Sequence, residues 1–146
     1  MCYYTLKYDE KEELNFMNKS KVLMTRSHLE AHDRGVKYTS RKLVEAGFEV
    51  IYTPFREICE IYETAIEEDV DIIGISCSAT NPISIVLALR ELLEKKQAEF
   101  PIIVGGVVPT LDLPKLKGMG IKEVFGPGSD PSEIVRFFKE TISQSQ

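Results

Sequence analysis

Apolar positions along this chain follow two alternating periods. Short runs rich in β-branched and other apolar residues, at 21–25 (KVLMT), 48–52 (FEVIY), 72–77 (IIGISC), 102–105 (IIVG) and 122–125 (KEVF), read as strands. Amphipathic stretches of helical spacing follow them at 35–46, 56–69, 83–96, 113–119 and 131–143. The punctuation agrees: Gly47 closes the first helix, Gly118 and Gly120 the fourth, and Pro131 opens the last at its first turn. The third and fourth runs are almost wholly apolar, as central strands covered on both faces must be.

Five strand-then-helix units imply a parallel sheet with helices on both faces, a doubly wound, flavodoxin-like (Rossmann-like) α/β domain over residues 21–146. Residues 1–20 break the rhythm. Tyr3, Tyr4, Tyr8, Leu14 and Phe16 lie among mixed charges without a period, and the segment reads as a leader or a docking arm. In such sheets ligands bind beyond the carboxyl ends of the strands. The chemistry is therefore expected in the loops at 26–34, 53–55, 78–82, 106–110 and 126–130.

Composition narrows the field. The 146 residues contain 18 Lys and Arg against 23 Asp and Glu, a net charge of −5, which argues against unaided binding to nucleic acid. No apolar run approaches the roughly 18–20 residues of a membrane span, and the first twenty residues have no apolar stretch suited to secretion. Cys2, Cys59 and Cys77 are odd in number and without paired spacing, so a reducing, cytoplasmic setting is expected. Cys77, at the end of a buried strand, reads as an inert thiol.

The first loop, Arg26-Ser27-His28-Leu29-Glu30-Ala31-His32-Asp33-Arg34-Gly35, holds both histidines. Their spacing of four is that of a zinc helix, but the carboxylate is misplaced and the segment leaves a strand. His32 is a candidate for a single axial metal ligand, with Glu30 on its other ring nitrogen and Arg26 behind Glu30. The same residues also suit a polar collar for the first helix, with Asp33 as its cap. The third loop, Ser76-Cys77-Ser78-Ala79-Thr80-Asn81-Pro82, offers hydroxyls that serve as ligand donors or caps. The fourth begins with Gly105-Gly106, which permits close approach or positive φ. The last, Gly126-Pro127-Gly128-Ser129-Asp130, is another tight glycine-rich edge. No dinucleotide or P-loop glycine pattern is present. A receiver domain would need an acidic residue ending the third strand, where this chain has Ser76 and Cys77.

Together these loops resemble the cobalamin (B12)-binding domain of the methylmalonyl-CoA mutase family. That family carries D-x-H-x-x-G, S-x-L and G-G in this order; here they stand as Glu30-Ala31-His32-Asp33-Arg34-Gly35, Ser76-Cys77-Ser78 and Gly105-Gly106. The stretch Val124-Phe125-Gly126-Pro127-Gly128-Ser129 is also typical of the mutase branch, and the likeness runs from about Lys21 to the end of the chain. The resemblance implies adenosylcobalamin as cofactor, held with its own base released and His32 as lower axial ligand of cobalt. It implies that Ser76 bonds the released base, that Gly105 and Gly106 make room for the nucleotide tail, and that Asp33, Arg34, Gly35, Ser78, Gly126 and Gly128 complete the site. It implies a relay of Arg26, Glu30 and His32 where the family has lysine, aspartate and histidine. The acyl-CoA site of the family lies on a barrel of roughly 250 residues, so the resemblance implies a small subunit working with a separate large subunit. A corrinoid carrier for methyl transfer and a B12-type fold kept only for protein contacts are the alternatives. The chain departs from the family at Glu30, Arg26, Ala31 and Ser78.

Overall fold

The computed structural model describes residues 19–145; the expected docking arm lies outside them except for Lys19 and Ser20. In chain order the elements are β1 (Lys21–Arg26), α1 (Arg34–Glu45), β2 (Glu49–Tyr52), α2 (Ile58–Glu67), β3 (Ile72–Ser76), α3 (Pro82–Lys95), β4 (Ile102–Gly105), a 3-10 turn (Thr110–Asp112), α4 (Leu113–Gly118), β5 (Glu123–Phe125) and α5 (Pro131–Ser145). The five strands form one parallel sheet in the order β2-β1-β3-β4-β5. This is the flavodoxin-like order, with its switch point between β1 and β3. The expected fold is the observed one.

Alternation along the strands divides the core in two. Leu23, Ile73, Ile75, Ile102 and Val104 face α2, α3 and α4, where they meet Ile61, Ala65, Leu89, Leu93 and Leu116. Val22, Met24, Ile72 and Ile103 face α1 and α5, meeting Val36, Leu43, Phe138 and Ile142. Helix ends explain the small differences from the expected boundaries. Pro82, read as a loop residue, is the first residue of α3 behind Asn81, whose side chain accepts hydrogen bonds from the amides of Ile83 (3.0 Å) and Ser84 (3.4 Å). Helix α2 starts two residues later than its apolar pattern, because the Glu60 carboxylate collects the amides of Arg56 and Glu57 ahead of it.

Strand register then places the functional end. Arg26 pairs with Ser76, Ser76 with Gly105, and Gly105 with Phe125. Four residues distant in sequence thus share one row across the carboxyl edge of the sheet. The loops that follow them necessarily emerge side by side.

Candidate functional site

A cleft of about 770 Å³ opens at that edge. It runs between the sheet and helices α1 and α5, with Met24, Gly74, Ile103 and Phe138 among its deeper residues and His32, Ser78, Val107 and Pro127 among those from the loops. Its mouth lies beside the β1–β3 switch point, where this topology leaves a crevice. Of the expected site residues, His32, Asp33, Arg34, Gly35, Ser76, Ser78, Gly105, Gly106, Gly126 and Gly128 all line it. Arg26 and Glu30 do not.

Glu30 lies directly behind the lining. It is fully buried, yet all its oxygen valences are met. Oε1 accepts from His32 Nδ1 at 3.0 Å, and its contact with the His32 amide is 3.4 Å. Oε2 accepts from the amides of Ser78 (2.9 Å), Ala79 (2.8 Å) and Thr80 (3.0 Å), and from the Thr80 hydroxyl (3.0 Å). Burial works to raise the carboxyl pKa. The amides of Ser78 and Ala79, the His32 contact and the Thr80 amide outweigh it and hold the carboxyl at about 2. Consecutive amides converging on one oxygen form an anion nest, so the charge needs no cation beside it.

An ionised carboxylate can only accept, so His32 Nδ1 carries the proton of that bond. Nε2 is then the nitrogen left with a lone pair. The His32 side chain is 69% exposed on the cleft while its partner is 0% exposed, so the ring is tethered from behind and open in front. Among the described residues no group of three or more His, Cys, Asp or Glu side chains could hold a free metal ion. His32 Nε2 could supply one bond to a metal that brings its other ligands with it.

Two expected roles are corrected by the geometry. Arg26 does not touch the Glu30 carboxylate. Its Nε donates to the Tyr52 hydroxyl (2.8 Å), and its Nη1 donates to the backbone carbonyls of Ser27 (3.1 Å) and Glu30 (2.6 Å). With the carboxylate filled by amides, the guanidinium braces the loop backbone instead. Asp33 occupies the cap position of α1 but makes no side-chain cap bond; its carboxylate turns to Lys37 Nζ at 2.6 Å. Its pKa is lowered chiefly by that contact.

The paired glycines divide their work. Gly106 has φ +115°, and a Cβ there would run into the Cys77 carbonyl and meet Ser78 Oγ at 2.9 Å. Gly105 has ordinary backbone and room around it, the nearest heavy atom being the Phe125 carbonyl oxygen at 3.6 Å. Cys77 is buried, and burial pushes its thiol up to about 11, consistent with an inert role.

Sequence reasoning missed two participants. Gly74 floors the cleft, where a Cβ would meet Met24 Sδ at 2.5 Å; a glycine inside a β-branched strand was the available signal. Thr80 is one of the third-loop hydroxyls, but nothing local marks its task, which is to bond a residue 50 positions away.

The model of the B12 binding domain family matches residues 20–136. The small subunit of pivalyl-CoA mutase from Xanthobacter autotrophicus is 40% identical over 116 residues, 79% of this chain and 78% of that protein. The small subunit of 2-hydroxyisobutanoyl-CoA mutase from Aquincola tertiaricarbonis is 33% identical over 125 residues, 84% of this chain and 92% of that protein. Methylmalonyl-CoA mutase from Cereibacter sphaeroides is 31% identical over 128 residues, which are 86% of this chain but 18% of that much longer protein. Among solved structures, a cobalamin-binding protein from Desulfitobacterium hafniense superposes with a TM-score of 0.69 at 17% identity, covering 85% of this chain and 60% of that one. A response regulator from Desulfuromonas acetoxidans superposes with 0.66 at 14% identity, covering 87% and 99%. These two neighbours share the fold alone, and the fold does not choose between their chemistries.

Proposed function

This chain belongs to the B12-binding domain family, and from that premise we propose that it is the cobalamin-carrying small subunit of an adenosylcobalamin-dependent acyl-CoA mutase. The observation that carries the reading is the His32–Glu30 pair: a ring open to the cleft, with its Nδ1 proton committed to a buried, ionised carboxylate. That arrangement fixes the tautomer of the ring and presents the Nε2 lone pair to an incoming metal.

The remaining residues fit the same group. Gly74, Gly105 and Gly106 leave the side of the cleft without side chains, where a nucleotide tail would descend between the sheet and helices α1 and α5. Ser76 and Ser78 bring hydroxyls to that wall, and Gly126 and Gly128 bring backbone at the far rim. When bound, adenosylcobalamin supplies a cobalt–carbon bond whose homolysis starts radical rearrangements. The chain's own part would be to hold the cofactor in the cleft, orient His32 and keep its tautomer.

Support for a separate large subunit as partner comes from the names of the two small-subunit relatives. Exposed Leu29 and Val107 on the loops, and Leu111 on the 3-10 turn that follows β4, sit beyond the carboxyl ends of the strands, where a covering partner would bury them. No helix among the described residues is long and apolar enough to cross a membrane, and we place the protein in the cytoplasm.

The test is retention of hydroxocobalamin or adenosylcobalamin through a desalting column, with the visible spectrum recorded, for wild type and His32→Ala. Near-stoichiometric colour in the wild type, with loss or a spectral shift in the variant, is the expected result. Equal retention and equal spectra in the two proteins would refute axial ligation by His32. Colourless wild type, unchanged by adding a mutase large subunit, would refute the cofactor role.

A further inference from the structure

The resemblance assigns the cation behind the axial histidine's carboxylate to position 26, yet Arg26 is committed to Tyr52 and to two backbone carbonyls. The Glu30 carboxylate is instead met by the loop between β3 and α3. We propose that Thr80 is a positioning residue for His32. Its hydroxyl, together with the amides of Ser78, Ala79 and Thr80, clamps Glu30 Oε2, so that Oε1 sets the tautomer and orientation of the imidazole. The proposal rests on the cobalamin reading and identifies how this chain holds the ligand.

Three observations support it. First, the bonds are charge-assisted and converge on one oxygen at 2.8–3.0 Å, which fixes that oxygen more tightly than a single flexible cation would. Second, Glu30 spans two loops. Its own backbone belongs to the loop after β1, one oxygen answers His32 in that loop, and the other reaches the loop after β3. The additional methylene of glutamate over aspartate supplies about 1.3–1.5 Å of reach, and the nest at Thr80 lies where the longer side chain ends. Third, the clamping loop is itself anchored. Asn81 caps α3 immediately after Thr80, and Ser76 before it is held in the sheet against Arg26 and Gly105.

The consequence is a mechanical link. Ser76 and Ser78 line the cleft from the same segment that clamps Glu30. The orientation of the axial ring is thereby tied to the wall against which the tail would lie. Among the donors to Oε2, the Thr80 hydroxyl is the only one a side-chain substitution can remove without altering the backbone.

Thr80→Val and Thr80→Ser separate the hydroxyl from the shape of the side chain. In the cofactor-free protein at about pH 8, where a free imidazole is neutral, long-range proton–nitrogen correlation spectra report the His32 tautomer. The wild type and Thr80→Ser are expected to show one dominant Nδ1–H tautomer, and Thr80→Val a mixture of both. Hydroxocobalamin affinity is expected to fall about tenfold in Thr80→Val, in line with removal of an outer-shell partner, and to recover in Thr80→Ser. Circular dichroism establishes that both variants are folded. A Thr80→Val protein with wild-type tautomer and affinity would overturn the proposal, as would a Thr80→Ser protein as impaired as the valine variant. If even the wild type retains no cobalamin with a mutase large subunit added, the cofactor reading fails, while the tautomer spectra still decide whether Thr80 positions His32.

Discussion

Gly105 and Gly106 are adjacent and chemically identical, yet substitution by alanine should affect stability at one and cofactor retention at the other. At Gly106 the backbone sits at φ +115°, a conformation costing an L-residue roughly 1–2 kcal/mol. The added Cβ would also meet the Cys77 carbonyl carbon at 2.7 Å and Ser78 Oγ at 2.9 Å. The carbonyl belongs to a residue hydrogen-bonded through its amide to Gly105 (2.8 Å), so relief requires moving a central part of the sheet. Overpacking of that kind costs about 1–3 kcal/mol. Gly106→Ala should therefore lose roughly 2–5 kcal/mol, equivalent to a fall of roughly 6–15 °C in Tm for a domain of this length. At Gly105 the nearest atom stands 3.6 Å away, an ordinary contact. Gly105→Ala should change stability by less than about 1 kcal/mol, while placing a methyl group on the cleft wall and lowering cobalamin retention. Urea unfolding followed by circular dichroism, with desalting retention beside it, measures both effects. Equal destabilisation by the two substitutions, or a Gly106→Ala protein within about 1 kcal/mol of wild type, would refute the division of labour.

Two more outcomes follow from the packing of the same region. Burial holds the Cys77 thiol at about 11 against an ordinary 9.0, so the folded chain keeps a proton that the unfolded chain releases. This contribution is fully present below about pH 9 and is lost as pH rises towards 11, amounting to roughly 2–3 kcal/mol. The loss should appear as a slope in stability between those pH values that Cys77→Ala removes; an unchanged slope in the variant would exclude Cys77 as its source. At the start of α3, Asn81→Ala removes the acceptor for the Ile83 and Ser84 amides and should cost about 1 kcal/mol in denaturant unfolding. An Asn81→Gly protein should recover most of that loss, and failure to recover would point away from capping.

Much of this molecule was legible along the chain. Alternating β-branched runs and helical apolar periods determine the five units, their handedness rules determine a parallel sheet covered on both faces, and Gly47 and Pro131 mark helix ends by their local conformational preferences. The likeness of the loop motifs pointed to His32 as the centre of the candidate site. These features depend on neighbours a few positions apart, which a linear reading sees. Tertiary structure decided the rest. Register alone put Arg26, Ser76, Gly105 and Phe125 in one row. Which group would satisfy the Glu30 carboxylate depended on whether the loop after β3 would present three amides and a hydroxyl to it, across 48–50 residues of sequence. Backbone amides carry no signature in the identity of the residues that own them. For that reason Arg26 was the visible partner and Thr80 the actual one, and only folding revealed that an anion buried behind the cleft is held by peptide dipoles rather than by a cation.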